Sequence, residues 1–309
     1  MKLLAHYLRA RQQMHPEIVN WRENYLGDSL FYSYRTTVYN RSTFPSSLHY
    51  HDYYELVIFE QGDIRYICES QVYYPQPGDI LLIPPGKLHM SMLNGETTLY
   101  KRHVFYLYPD AFDTLNCGAL AGFLSKTREG LWVTTPSIPV QQELSFLLQQ
   151  LDHALQFPEK PLEQALALGY VIRIFYLINQ HSFLSQGISQ HLPENVRKIQ
   201  QYLDSHYAEI QSVSQVAKEF FYSREYLSRL FKEHFNTTVA DYIRKRRVAR
   251  SQSLIEQGIP LGEVCYQVGF ENLSTFIRAF RSVTDMTPSQ YRRLSSPKQQ
   301  PQNSGSKIP

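Results

Sequence analysis

Apolar residues change their spacing partway along this chain. Between Ser29 and about Pro109 they fall in short runs of branched and aromatic side chains, at 30–34, 54–59, 64–68, 79–83 and 99–108, punctuated by Gly and Pro. Such runs predict strands, and many strands without intervening helices predict a sandwich or small barrel. From residue 140 the period lengthens. Leu144, Leu147, Leu148, Leu151 and Leu155 form one stripe at helical spacing, so 140–156 reads as a helix buried along one face, with a second over 161–181. Residues 1–25 read as an amphipathic helix with a turn at His15-Pro16. Residues 186–193 read as a polar linker, 194–294 as helical, and 295–309, rich in Ser, Gln, Pro and Lys, as a disordered tail. The expectation is an α+β chain: a β-barrel with a helical pair over 1–185, then an all-α domain over 194–294.

The helical domain carries one sequence twice. In the first copy Val216, Ala217 and Phe220 precede a turn, and a helix opens after Tyr222-Ser223. In the second, Val264, Cys265 and Val268 precede Gly269-Phe270, and a helix opens after Asn272. Leu227 then matches Phe276, Arg229 matches Arg278, Phe231 matches Phe280 and Lys232 matches Arg281. A short apolar helix, a turn and a second helix bearing polar residues and arginine is the arrangement that enters the DNA major groove. Two copies predict two reading heads. Charge leans the same way: residues 194–293 hold 15 Lys+Arg against 11 Asp+Glu, whereas 1–193 hold 14 against 17. That asymmetry places attraction to phosphate in the C-terminal part.

These residues resemble the AraC/XylS family of bacterial transcription regulators over 194–293. The resemblance rests on Tyr226 to Lys232, Tyr242-Ile243, Arg247-Val248, Leu254-Ile255, Val268-Gly269-Phe270, Thr287-Pro288 and Tyr291-Arg292 at fixed spacing. It implies two helix–turn–helix units joined by a long helix, here from about Val239 to Gln257, stopped by Gly258, with Pro260 starting the next. It also implies that Arg224, Glu225, Ser228 and Arg229 face base edges, with Leu273, Ser274, Thr275, Ile277 and Arg278 in the second unit. Lys232 and Arg281 suit phosphate contacts. Where the family usually has glycine after each reading helix, this chain has Asn236 and Asp285, residues that tolerate a left-handed backbone. Ser251 and Cys265 replace alanines and are small enough for close packing. Leu227, Leu230, Phe231, Phe276 and Phe280 read as core. The basic run Arg244-Lys245-Arg246-Arg247 with Arg250 reads either as a wet helix face or as a DNA contact.

The N-terminal half contains His49-x-His51-x-x-x-Glu55 and, later, Gly78-Asp79 through Pro84-Pro85-Gly86 to His89, which resemble the paired cupin motifs. On a strand, positions 49, 51 and 55 share one face. With His89 they make a set suited to a divalent transition metal. The same barrel suits a small-molecule effector, with Arg35, His49, His51, Glu55 and His89 as contacts and Tyr50, Tyr53, Tyr54 and Tyr66 as lining.

Cys68, Cys117 and Cys265 lack metal or disulfide spacing, the N-terminus lacks a signal-peptide run, and no window reads as bilayer-spanning, so the expectation is a cytoplasmic protein. The reading is a ligand-responsive regulator, not an enzyme, whose partners are double-stranded DNA, a small-molecule effector, a second copy of itself and RNA polymerase. The alternatives are a metal-dependent cupin enzyme fused to a DNA-binding module, and a barrel that serves only as a dimerisation scaffold.

Overall fold

The computed structural model describes residues 18–26, 29–44, 46–113, 116–127, 130–157, 159–181 and 190–295. The chain divides into two compact units, Met1–Gln200 with Leu230–Thr237, and Gln201–Arg229 with Thr238–Pro309. Its strands are β1 (Ile18–Tyr25), β2 (Leu30–Asn40), β3 (Tyr54–Gln61), β4 (Ile64–Cys68), β5 (Gln71–Tyr73), β6 (Ile80–Ile83), β7 (His89–Leu93), β8 (Thr97–Leu107), β9 (Trp132–Thr134) and β10 (Gln190–His191). They form a six-stranded sheet ordered β1-β2-β8-β3-β6-β9 and a four-stranded sheet ordered β10-β5-β4-β7.

Alternation along the central strands gives the large sheet two apolar faces. Val57, Phe59, Leu81, Ile83, Tyr100 and Val104 pack against Ile64, Tyr66, Cys68 and Tyr73 of the small sheet. Leu56, Ile58, Leu82, Phe105 and Leu107 pack instead under two helices, α1 (Ile138–Ala154) and α2 (Pro161–His181). All five leucines of the α1 stripe are buried there. Tyr54, expected to line the barrel, packs on this helix face.

Several expectations need correction. Residues 1–17 of the predicted first helix lie outside the described residues, and Ile18–Tyr25 is a strand with Trp21 opposite Arg35 of β2. The branched Ile18-Val19 pair suits that edge better than a helix. Gln190–His191, read as linker, is a strand on β5; the rest of that stretch up to 189, and the tail from 296, lie outside the described residues. Residues Pro161–Gln180 of α2 are long and apolar enough to cross a membrane by length and composition, against expectation. Burial accounts for part of that character: Ala167, Val171, Ile174, Phe175, Leu177 and Ile178 lie in the core under the sheet.

The helical part consists of α3 (Glu194–His206), α4 (Val213–Glu219), α5 (Arg224–Phe235), α6 (Val239–Glu256), α7 (Leu261–Gln267), α8 (Leu273–Thr284) and α9 (Pro288–Ser295). The duplication is literal in length: α4 and α7 have 7 residues each, α5 and α8 have 12. Side-chain oxygens of Ser212, Thr238 and Asn272 cap α4, α6 and α8 by accepting the backbone N–H three residues on. Gly258, at φ +83°, ends the joining helix where its sequence predicts.

Candidate functional site

The helix–turn–helix units separate core from surface cleanly. Leu227, Leu230, Phe231, Phe276 and Phe280 are buried, and Ser251 and Cys265 are fully enclosed. Arg224, Glu225, Ser228, Arg229 and Lys232 of α5 are exposed, as are Leu273, Ser274, Arg278 and Arg281 of α8. Thr275 and Ile277 are half-buried. Thr275 also sits at the capped third position of α8, its N–H given to Asn272, and its hydroxyl lies 3.4 Å from the Arg278 guanidinium. The Arg229 guanidinium lies 5.5 Å from the centre of the Tyr226 ring. Asn236 and Asp285 adopt left-handed conformations, φ +46° and +55°, so both helix ends survive without glycine as their residue types imply.

The basic run on α6 is mostly committed to structure. Arg244 and Lys245 pair with Asp241, Arg246 donates to Asp204 at 2.6 Å, and Arg247 donates to the carbonyls of Tyr207 and Ile210. Arg246 and Arg247 therefore tie α6 to α3 and the loop after it, which sequence alone does not reveal.

In the first unit the two motifs meet, though not by the route strand parity suggests. Residues 49–53 are not a continuous strand. His49 instead bridges to His89 by reciprocal backbone hydrogen bonds, and Gly86 N–H donates to the His51 carbonyl. The metal-competent atoms of His49, Glu55 and His89 consequently lie within 4.8 Å of one another. The Nε2 atoms of His51 and His89 stand 3.1 and 3.3 Å from the same Glu55 Oε2. Each imidazole is oriented from behind, because Nδ1 meets a backbone carbonyl: Ser47 for His49, Tyr53 for His51 and Lys87 for His89. A carbonyl only accepts, so Nδ1 carries the proton, and in the neutral ring Nε2 presents a lone pair to the cluster.

Electrostatics sharpen this picture. Burial holds the His51 imidazole below its ordinary pKa. His49 is lowered by burial and by neighbouring His89; the residue is exposed at the rim, but its ring lies 4.3 Å from that of His89. Burial opposes ionisation of Glu55, yet the hydrogen bond with His51 and the neighbouring His89 imidazole outweigh it and hold the carboxyl well below its usual range. Lone pairs facing a carboxylate repel unless a positive species lies between them. That species is a proton on an imidazole or a metal ion, and the donor set of two or three imidazoles and a carboxylate fits a divalent transition metal. The His89 Nε2 atom, buried and without a well-formed hydrogen bond, is the observation that carries the fit.

Other expected residues divide by role. Asp79 does not reach the cluster: it accepts hydrogen bonds from Tyr73, Thr135 and the Gln76 N–H, and so holds the turn before β6. Tyr53 is buried and stacks on His51 at 4.1 Å, while Tyr50 is half-buried. Tyr66 lies between the sheets, its hydroxyl against that of Tyr100. Arg35 is half-buried, donates to Ser33 and stands directly opposite Arg102 in the β2–β8 ladder. Tyr100 and Arg102 were missed in the sequence. Their signal lies in the alternation of the strand, which puts 100, 102, 104 and 106 on one face.

Residues 34–168 match the AraC-like ligand binding domain family, and residues 216–294 match a helix-turn-helix domain family. The chain is 26% identical to the uncharacterized HTH-type transcriptional regulator YdiP of Escherichia coli (strain K12), covering 86% of this chain and 89% of that protein. It is 25% identical to the arabinose operon regulatory protein of the same organism, covering 77% and 78%. Among solved structures, ToxT from Vibrio cholerae O395 is 18% identical with a TM-score of 0.34, over 85% of this chain and 98% of that one.

Proposed function

The chain belongs to the AraC family of transcription regulators, with a ligand-binding N-terminal domain and a helix-turn-helix DNA-binding domain, and from that premise we propose how its residues divide the work. In the first reading helix Arg224, Glu225, Ser228 and Arg229 meet base edges, and in the second Leu273, Ser274, Thr275, Ile277 and Arg278 do so. Arginine can take guanine through two hydrogen bonds, worth roughly 1–3 kcal/mol of discrimination. Arg229 and Arg278 are therefore the principal readers, and their exposure at matching positions is the observation that carries the proposal. Lys232 and Arg281 hold phosphates. Leu273 and Ile277 offer no hydrogen bond and suit thymine methyl groups.

The effector contacts we propose are Arg35, His49, His51, Glu55 and His89. A ligand shifts the protein only by binding one state better than another. We further propose a cytoplasmic homodimer that engages RNA polymerase and has no enzymatic activity. Ile138 and Phe146 of α1 and Leu162 and Leu166 of α2, all exposed, supply an apolar surface for the dimer contact. Selection of bound sequences from a random pool tests the readers. Arg229→Ala and Arg278→Ala should each relax preference at one position, and an unchanged consensus would refute the assignment.

A second reading comes from the histidine cluster. His49, Glu55 and His89 would hold a divalent metal, with His51 orienting Glu55, and the metal would supply a Lewis-acidic contact for an effector oxygen. Zinc or nickel titration of metal-stripped protein should show one site per chain that His89→Ala abolishes. No saturable binding would leave a shared proton as the cation of the cluster.

A further inference from the structure

We propose that Tyr226 is a positioning residue for base reading: its ring holds the Arg229 guanidinium on the first reading helix and leaves the donor edges free for a base. This rests on Arg229 being the principal reader of that helix. The guanidinium carbon of Arg229 lies over the Tyr226 ring, 5.5 Å from its centre, within the range at which a cation is drawn to an aromatic face. Residues three apart on a helix are neighbours, so the pair needs no bend in the backbone. Tyr226 is itself fixed twice. Its N–H is given to the Ser223 hydroxyl at 3.1 Å, which caps the first turn of α5, and its ring packs 4.7 Å from that of Tyr222. Half-buried Tyr222 and Tyr226 thus form a short aromatic step beside an exposed arginine.

The chemistry of the contact decides what it can do. A carboxylate partner takes N–H groups of a guanidinium, as Asp204 takes the Nε–H of Arg246 and Asp241 pairs with Arg244 on α6. An aromatic face attracts the cation without taking any of them, so the planar fork of Arg229 stays available to guanine. The second unit repeats the position with different chemistry. Thr275 stands three residues before Arg278, its N–H is given to Asn272 at 2.9 Å, and its hydroxyl lies 3.4 Å from Nη2 of that arginine. The hydroxyl oxygen there accepts a donor that a base would otherwise use. Corresponding arginines are thus held by a ring in one head and by a hydroxyl in the other. A side chain already held in place loses less freedom on binding, which is how a ring beside the reader sharpens the choice of base.

Binding of the full chain to a pair of DNA duplexes tests this. One carries the sequence that the parent protein selects from a random pool, and the other differs at the base pair whose preference Arg229→Ala relaxes. The ratio of the two affinities is the readout. Tyr226→Leu, which has no ring, should lower that ratio about two- to fivefold, the size of a cation–ring attraction near the surface. Ratios at base pairs read by the second unit should stay unchanged. Tyr226→Phe should keep the parent ratio, and in Arg229→Ala protein the change to Leu should have no further effect on it. If Tyr226→Leu folds poorly, Tyr226→Gln takes its place with the same expectation. An unchanged ratio overturns the proposal, as does an equal loss at every base pair, which would mark Tyr226 as a prop of the helix alone. A loss in Tyr226→Phe equal to that in Tyr226→Leu also overturns it and assigns the effect to the hydroxyl. If Arg229→Ala relaxes no position, the reading of Arg229 fails and the role of Tyr226 with it. If Arg229→Ala relaxes one position and Tyr226→Leu leaves it intact, only the role of Tyr226 falls.

Discussion

At the scale of single residues, the two helix–turn–helix units solve one backbone problem in different ways. The turn before each reading helix needs a left-handed residue. The second unit uses Gly269 at φ +87°, and the first uses Phe221 at φ +55° with its ring almost wholly exposed. Glycine is obligatory in the second because a Cβ there would fall 2.2 Å from the backbone oxygen of Ala208. Gly269→Ala should therefore lower stability by well over ~1 kcal/mol. Phe221→Gly should raise it by on the order of 0.5 kcal/mol, since relief of roughly 1–2 kcal/mol of left-handed strain exceeds the added chain entropy. Denaturant midpoints of the two variants should move in opposite directions. If Phe221→Gly destabilises instead, the phenyl ring makes a contact that its exposure does not suggest.

At the scale of elements, the large sheet and the helix above it are joined by a polar chain through an otherwise apolar layer. The Tyr32 hydroxyl donates to Asp152 of α1 at 2.6 Å and meets His103 Nδ1 at 2.7 Å, and His103 Nε2 meets Glu60 at 3.0 Å. Burial and the Asp152 carboxylate raise the Tyr32 pKa well above its ordinary value, so the hydroxyl remains a donor. Tyr32→Phe keeps the ring and removes both bonds, and a loss of ~1–3 kcal/mol in chemical unfolding is expected. A change near zero would mean that water replaces the hydroxyl without cost. The same scale shows where sequence is informative. Both helices of the pair were legible within about two residues because their apolar stripes have a clear period, and strands β2, β3, β4, β6 and β8 were legible from the composition of their runs. Strands β5 and β9, of three residues each, carry too few side chains to show alternation, and β7 (His-Met-Ser-Met-Leu) holds no β-branched residue to mark it as a strand. The histidine cluster was readable from its spacing, although the backbone bridge that assembles it was not.

At the scale of the whole molecule, electrostatics and duplication act together. The net charge of +3 is small, so long-range attraction alone is a weak basis for binding DNA. Affinity has to come from local contacts, and its logarithm should fall linearly with the logarithm of salt concentration, by about 0.9 per phosphate neutralised. Lys232→Ala and Arg281→Ala should each reduce that slope by about 1 and leave the preferred sequence unchanged. A slope that does not move would place both side chains away from the backbone. Between the two heads, one arginine and one terminal cation recur, but Arg224, Glu225 and Ser228 give way to Leu273, Ser274 and Ile277. Two unlike heads on one chain cannot be exchanged by turning the complex end for end. A bound copy therefore points one way along the duplex, and inverting its target within a promoter reverses the protein's heading without changing a single contact.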